Sequence, residues 1–300
     1  MKKINIFIGI TFVITWAMCF WLMGNGGYHN PYAQVVLVLC MMVPAIASII
    51  TSTITGEKCK DLWIKPNFKK NKKYYLIAWF LPAILIVIGS LVYYLIFPSH
   101  CDLSMSTFIE LTKSQMESVG QVAPSSEELK SLLIMQVIIG VLLAPILNFV
   151  TSLGEELGWR GYLLPSLKTT NSQLKATIKS GVIWGVWHAP MIAMGHNYGL
   201  DYFGAPWGGI VAMIIFCVIV GSFLSYITLK TKSCIPAVFS HGMINGFASF
   251  SAIFIAVPKV NPFLGPTVVG VIGGIGFIVT GIICLRKINI MDNEVEEISV

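Results

Sequence analysis

Apolar residues run through this chain in long blocks and not at alternating positions. Blocks of about 20 residues, the length of helix that crosses a bilayer core about 30 Å thick, fall at 4–23, 32–53, 74–97, 132–153, 179–195, 208–229, 234–257 and 263–285. Each is too long for a buried strand and lacks the alternation of a barrel strand. A backbone in lipid must satisfy its polar groups within its own segment, so each block predicts a helix. The pattern is that of an all-α, polytopic membrane protein with about eight transmembrane helices. Lys2 and Lys3 precede the first block as they would in a signal peptide. Its apolar run is longer than a usual h-region, and an uncleaved helix is expected.

Two polar stretches between the blocks are long: a lysine-rich one at 57–73 and another at 98–131. In the second, Ser125 and Glu128 have capping-box spacing, which predicts a helix that begins outside the membrane. No internal repeat or soluble domain boundary is visible. Residues 1–300 read as a single integral membrane domain with a motif-bearing core at about 132–257, a polar outer loop at 98–131 and a short acidic cytoplasmic tail at 288–300.

Composition narrows the class. Apolar residues make up 55% and charged residues 11%, with a mean hydropathy of +0.77. A soluble domain carries roughly 25% charged residues, so a water-soluble fold is excluded. The net charge of +6 forms no continuous patch and argues against a nucleic-acid partner. With the N-terminus placed inside, 17 of the 20 Lys and Arg fall in inner segments, leaving only Lys113, Lys130 and Lys259 outside. The positive-inside rule then predicts both termini in the cytoplasm and a multi-pass protein of a bacterial-type plasma membrane, with the lipid bilayer as its surroundings. The lysine-rich stretch is expected to hold topology. Seven scattered cysteines without a CxxC pair indicate neither a disulfide framework nor a cysteine metal site.

Ionisable groups inside the membrane cost about 2.5–3.5 kcal/mol each to insert, so each asks for a reason. They concentrate in three runs: Gly-Glu-Glu-Leu-Gly-Trp-Arg at 154–160, Trp184 with His188, and His241 with Asn245. Glu156 and Arg160 lie four residues apart on one helix face, where an ion pair is expected, while Glu155 points about 100° away and stays free for proton transfer. His241 and Asn245 share a face in the same way, and Trp184 sets an indole beside the His188 imidazole. A carboxylate, two histidines and an amide are what peptide-bond hydrolysis needs. Glu155 could take a proton from water that His188 orients, and His241 and Asn245 could donate to the oxyanion.

These runs resemble the three motifs of the CPBP family, also called Abi or type II CAAX-processing proteases: Glu-Glu-x-x-x-Arg (Glu155, Glu156, Arg160), aromatic-x-x-x-His (Trp184, His188) and His-x-x-x-Asn (His241, Asn245). They occur in the family's order, with Trp184 where the family often has Phe. The resemblance implies an eight-helix fold, an intramembrane active site open toward the cytoplasmic side, and an endopeptidase acting on a peptide or protein substrate. It also implies Glu155, Glu156, Arg160, His188, His241 and Asn245 as the catalytic set. The family is often labelled as metallopeptidases, and Glu155, His188 and His241 are acceptable zinc ligands. The absence of an HExxH helix tilts the reading toward a glutamate-activated water with no obligatory metal. Two other functions fit the same residues: a proton- or cation-coupled transporter, and a non-catalytic immunity or scaffold protein. His100 and His196 are expected in outer loops, solvated.

One mismatch stands in the sequence. Helical rise puts His188 about 10–15 Å from the inner surface but Glu155 near the inner edge. Tilt, a kink at Pro145 or a cavity opening inward would each bring them together.

Overall fold

The computed structural model describes residues 2–57, 62–118 and 120–299; Lys58, Cys59 and Lys60 of the lysine-rich stretch lie outside them. The described chain is all-α. Its helices are α1 (Lys2–Gly24), α2 (Ala33–Thr55), α3 (Phe68–Ile96), α4 (Ser106–Ser118), α5 (Ser126–Leu147), α6 (Phe149–Glu156), α7 (Leu164–Leu167), α8 (Gln173–Trp187), α9 (Ala189–Ala193), α10 (Trp207–Thr231), α11 (Ile235–Phe247) and α12 (Ile275–Ser299). Six stretches are long and apolar enough to cross a membrane: α1, α2, α3, α5, α10, and α11 with the turn that follows it, Ile235–Phe254. The predicted fifth block is α8, broken at His188 and continued by α9.

Two expectations are corrected, and the acidic tail gains a secondary structure. The segment at 98–131 is not a loop, because α4 packs there against the first turns of α5 through Ile109 and Leu129. The block at 263–285 becomes helical only at Ile275, its first part being turns in which Gly270 and Gly273 press backbone against backbone. The acidic tail continues α12 as helix.

The start of α5 follows from its cap. The Ser125 hydroxyl accepts from the Glu128 N–H at 3.3 Å while Glu128 Oε2 accepts from the Ser125 N–H at 2.8 Å, which satisfies two of the helix's open donors. The helix then meets Pro145, which has no N–H to give, and breaks at Asn148 (φ −95°, ψ 8°). Below the break run α6 and a π-helical turn at Leu157–Leu163.

Helix α11 lies at the centre, against α3, α5 and α6, with α10 clasping α8 and α12, and α2 covering α6 and the π turn. Glycines permit the closest approaches, as expected where lipid supplies no hydrophobic drive. A Cβ on Gly158 would lie 2.4 Å from the Pro44 Cβ of α2, and one on Gly185 would lie 2.5 Å from the Ile214 Cα of α10.

The two ends of the bundle differ. At the end where the lysines gather, the loops are tied together: Trp63 N–H donates to the Gly161 carbonyl at 3.1 Å, Cys234 N–H to that of Trp63 at 2.6 Å, and Asp292 accepts the N–H groups of Gln173 and Leu174 at the start of α8. Lys3 pairs with Glu57 at 2.5 Å. At the opposite end, long loops meet through fewer polar contacts, such as Tyr28 with the Met191 carbonyl and Tyr198 with that of Val269.

Candidate active site

The three predicted runs meet in the middle of the bundle. Glu155 Oε2 accepts from the Trp184 indole at 2.8 Å and from the Trp159 indole at 3.3 Å. Two fixed donors on one oxygen hold the carboxylate's direction and leave Oε1 without a partner. Glu156 points away, as its helix position requires: its Oε1 accepts from Arg160 Nη1 at 2.9 Å and from His241 Nδ1 at 2.9 Å. The expected ion pair is therefore present, in a fully buried position, and it also fixes an imidazole. The Arg160 guanidinium lies over the Trp184 ring, 4.3 Å from its centroid, a favourable cation–π placement in a dry site.

His188 is held by a helix end. Pro190 prevents α8 from continuing, and the His188 N–H turns to the carbonyls of Gly185 and Val186. The Trp184 carbonyl is left open, and His188 Nδ1 sits 2.8 Å from it. A carbonyl only accepts, so Nδ1 carries the proton and a neutral ring presents Nε2 as an acceptor. His241 Nδ1 also donates, here to the Glu156 carboxylate, and its Nε2 stays available. The imidazoles of His188 and His241 both pack against Trp184, at 5.7 and 5.4 Å between ring centroids.

A cavity of about 600 Å³ reaches these groups, within the range of small-molecule and peptide sites, and its walls include Glu155, His188, His241 and Asn245. Glu156 and Arg160 do not line it. They are buried behind the wall, which divides the six expected residues into four that face the cavity and two that hold one of them. Reasoning on spacing missed three residues. Trp159 gives Glu155 its second donor, and its position i+4 from Glu155 was the signal. Asn148 lines the cavity at the break in α5. His196 is not solvated in a loop: it stands in the cavity wall, stacked on Tyr28 at 6.1 Å.

The depth mismatch resolves through α5. From Ser126 to Glu155 runs roughly 44 Å of helix against a core of about 30 Å, which leaves room for α5 to begin outside the membrane with Glu155 within it. Trp184, the partner of Glu155, lies about 16 Å along α8. Wall residues lead from Glu155 to Gln34, His196, Asn197, Ser249 and Thr267, all at the end opposite the lysines. The lysine-bearing end is filled by the π turn, whose Trp159, Tyr162 and Leu163 are buried.

Among the described residues, no three of His, Cys, Asp and Glu are grouped as a cation's ligands would be. Glu155 Oε2 is already taken by two indoles and His241 Nδ1 by Glu156. Glu155 Oε1 and the Nε2 atoms of His188 and His241 stay free, so it is the lack of such grouping, and not of donor atoms, that sets Glu155, His188 and His241 apart from a three-ligand site.

Fold and site together describe a polytopic all-α membrane protein with a buried cluster of Glu and His side chains reached by a cavity. Residues 130–247 match the family described as type II CAAX prenyl endopeptidase Rce1-like. The chain is also similar to CAAX prenyl protease 2 of Methanococcus maripaludis, 29% identical over 239 residues that cover 78% of this chain and 80% of that one. Over this core the chain is therefore similar to Rce1-like membrane peptidases.

Proposed function

We propose that this intramembrane endopeptidase hydrolyses a peptide bond with a water activated by Glu155. The observation that carries the reading is the shared lining of one cavity by Glu155, His188, His241 and Asn245. Water bound between Glu155 Oε1 and His188 Nε2 gives its proton to Glu155, and its oxygen attacks the scissile carbonyl carbon. The oxyanion accepts from the Asn245 amide and from His241 Nε2, protonated with Glu156 as its counter-ion. Glu155 then passes its proton to the amide nitrogen as the C–N bond breaks, releasing a carboxylate and an amine. With His241 protonated, Glu155, Glu156, Arg160 and His241 sum to zero charge, which favours their burial as a group. The substrate is a peptide or a membrane-associated protein, and the setting is a multi-pass protein of the plasma membrane.

A transporter reading finds less support, because no wall residue of the cavity comes from the lysine-bearing end. The test is peptide cleavage by the purified protein in nanodiscs, followed by mass spectrometry. Cleavage that disappears in both Glu155→Ala and His188→Ala is expected. Persistence of the same products in either variant would overturn the reading.

A further inference from the structure

We propose that Cys19 and Cys40 form a redox-sensitive dithiol site, which hydrogen peroxide closes into a disulfide that slows the enzyme. The site rests on geometry alone; its effect on cleavage rests on the peptidase reading above.

The described cysteines are free thiols, and 21 positions of chain separate this pair. The fold removes that separation. Cys19 lies in α1 and Cys40 in α2, and their sulfurs stand 4.0 Å apart. Among the described residues, no other two thiols come into contact. Either sulfur can donate its S–H to the other, which supports the charge on the one that attacks an oxidant. Both are fully enclosed by protein, which shuts out a bulky disulfide reagent and selects a small, uncharged oxidant. Val13, Ile14, Phe20 and Trp21 are exposed on α1, so this helix stands at the edge of the bundle. Local opening there gives peroxide its path.

The chemistry balances with peroxide as the only co-reactant. One sulfur attacks a peroxide oxygen, the O–O bond breaks, and a sulfenic acid and one water form. The second sulfur displaces the hydroxyl group from the first, which makes the S–S bond and a second water. Two thiols are oxidised, one peroxide is reduced, and both thiol protons end in water.

Both helices carry the pair into contact with the site. On α2, Leu37, Val38 and Met41 line the cavity, and the backbone beside them touches the turn that bears Glu155. A Cβ on Gly154 would lie 2.6 Å from the Met41 carbonyl oxygen and 3.0 Å from the Met42 Cα. On α1, the Trp16 indole donates to the Trp187 carbonyl, next to His188, at 3.2 Å. Phe7 meets Trp159, one of the two donors to Glu155, with ring centroids 5.8 Å apart. Bond formation draws the sulfurs from 4.0 Å to about 2.05 Å. Helical side chains have few rotamers to spend on that closure, and close packing leaves enclosed sulfurs little room to turn. Part of the movement therefore falls on the backbone at Cys40, one residue from Met41. A misplacement of about 1 Å at a reacting group is enough to cost about 100-fold in rate.

The test treats the purified wild-type protein in nanodiscs with hydrogen peroxide, blocks the remaining thiols with N-ethylmaleimide, digests without reduction and maps the products by mass spectrometry. A linked peptide pair carrying residues 19 and 40, lost on adding dithiothreitol, is expected. Peptide cleavage should fall at least about tenfold as the link forms and return with dithiothreitol. Cys19→Ala and Cys40→Ala should each cleave as the wild type does before peroxide and keep that activity after it. Absence of the 19–40 link in the treated wild type would overturn the site, and a fully linked protein with undiminished cleavage would overturn its effect. An equal loss of activity in the alanine variants would overturn the effect as well, because the sensitive group would then lie elsewhere. The mapping needs neither a variant nor a substrate, so it decides the site even where an alanine variant fails to fold. If the untreated protein cleaves no peptide, the peptidase reading fails and the linked peptide still decides the site.

Discussion

Glu155 and Glu156 are neighbours in the chain, yet they belong to two different regions of the molecule. Glu155 faces the cavity, with one oxygen held by two indoles and the other free. Glu156 faces a sealed layer, where Arg160 and His241 take the same oxygen and no solvent reaches it. The hydrogen bonds at Glu155 come from neutral donors; those at Glu156 include a permanent cation. The difference separates labour between two identical side chains. One carboxylate is positioned but left able to exchange a proton, and the other is neutralised and serves to aim an imidazole. Groups that face the cavity should matter for turnover, and groups behind the wall for stability.

The largest expected effect lies behind the wall. Arg160→Met would leave the Glu156 charge buried with only His241 beside it, at a cost of about 3–5 kcal/mol. The loss would be read as a lower melting temperature in detergent, and adding Glu156→Gln should restore most of it. Next comes a change on the cavity side. Asn245 is exposed to the cavity and packs little, so Asn245→Ala should leave melting unchanged while lowering kcat by about 100-fold or more. Gly158→Ala tests the frame shared by both regions. Its Cβ would meet Pro44 at 2.4 Å, and forcing α2 from the π turn should cost about 1–3 kcal/mol.

The smallest effect is expected far from both carboxylates, at Glu57. Burial alone would push this carboxyl up, but Lys3, Tyr162 and Thr55 pull it below the usual carboxylate range. A depressed pKa stabilises above the unfolded value, about 4.3, and that contribution is lost as the pH falls through the folded value. Glu57→Gln should therefore lower stability at pH 7 by at most about 1 kcal/mol. Melting curves of the two proteins should converge on acidification below about pH 4.

Much of this arrangement is legible in the sequence because its signals are local. Apolar blocks long enough to cross a bilayer mark most of the helices, and the i, i+4 spacing of Glu156 with Arg160 and of His241 with Asn245 places each pair on one face. The Ser125–Glu128 cap is equally local, and its two bonds are formed. What sequence reasoning missed depends on contacts between distant segments. The π turn exists where Gly158 meets Pro44 and Arg160 reaches Trp184 across the bundle. His196 reads as a loop residue until Tyr28, more than a hundred positions earlier, stacks on it. The direction of the cavity is the least local of all, since four separate segments, at Gln34, His196–Asn197, Ser249 and Thr267, combine to form that end of its wall. The turns at 263–274 are as apolar as a helix and differ from one only in how Gly270 and Gly273 pack.

The division between the two carboxylates is tested most directly by measuring kcat and melting temperature side by side in Glu155→Gln and Glu156→Gln. A glutamine at 155 keeps a carbonyl for the two indoles but no longer accepts a proton from water, so kcat should fall by about 10²- to 10⁴-fold with melting unchanged. At 156 the same change strips Arg160 of its counter-ion, and melting should drop. Wild-type turnover in the 155 variant, or an unfolding defect confined to that variant, would contradict the account.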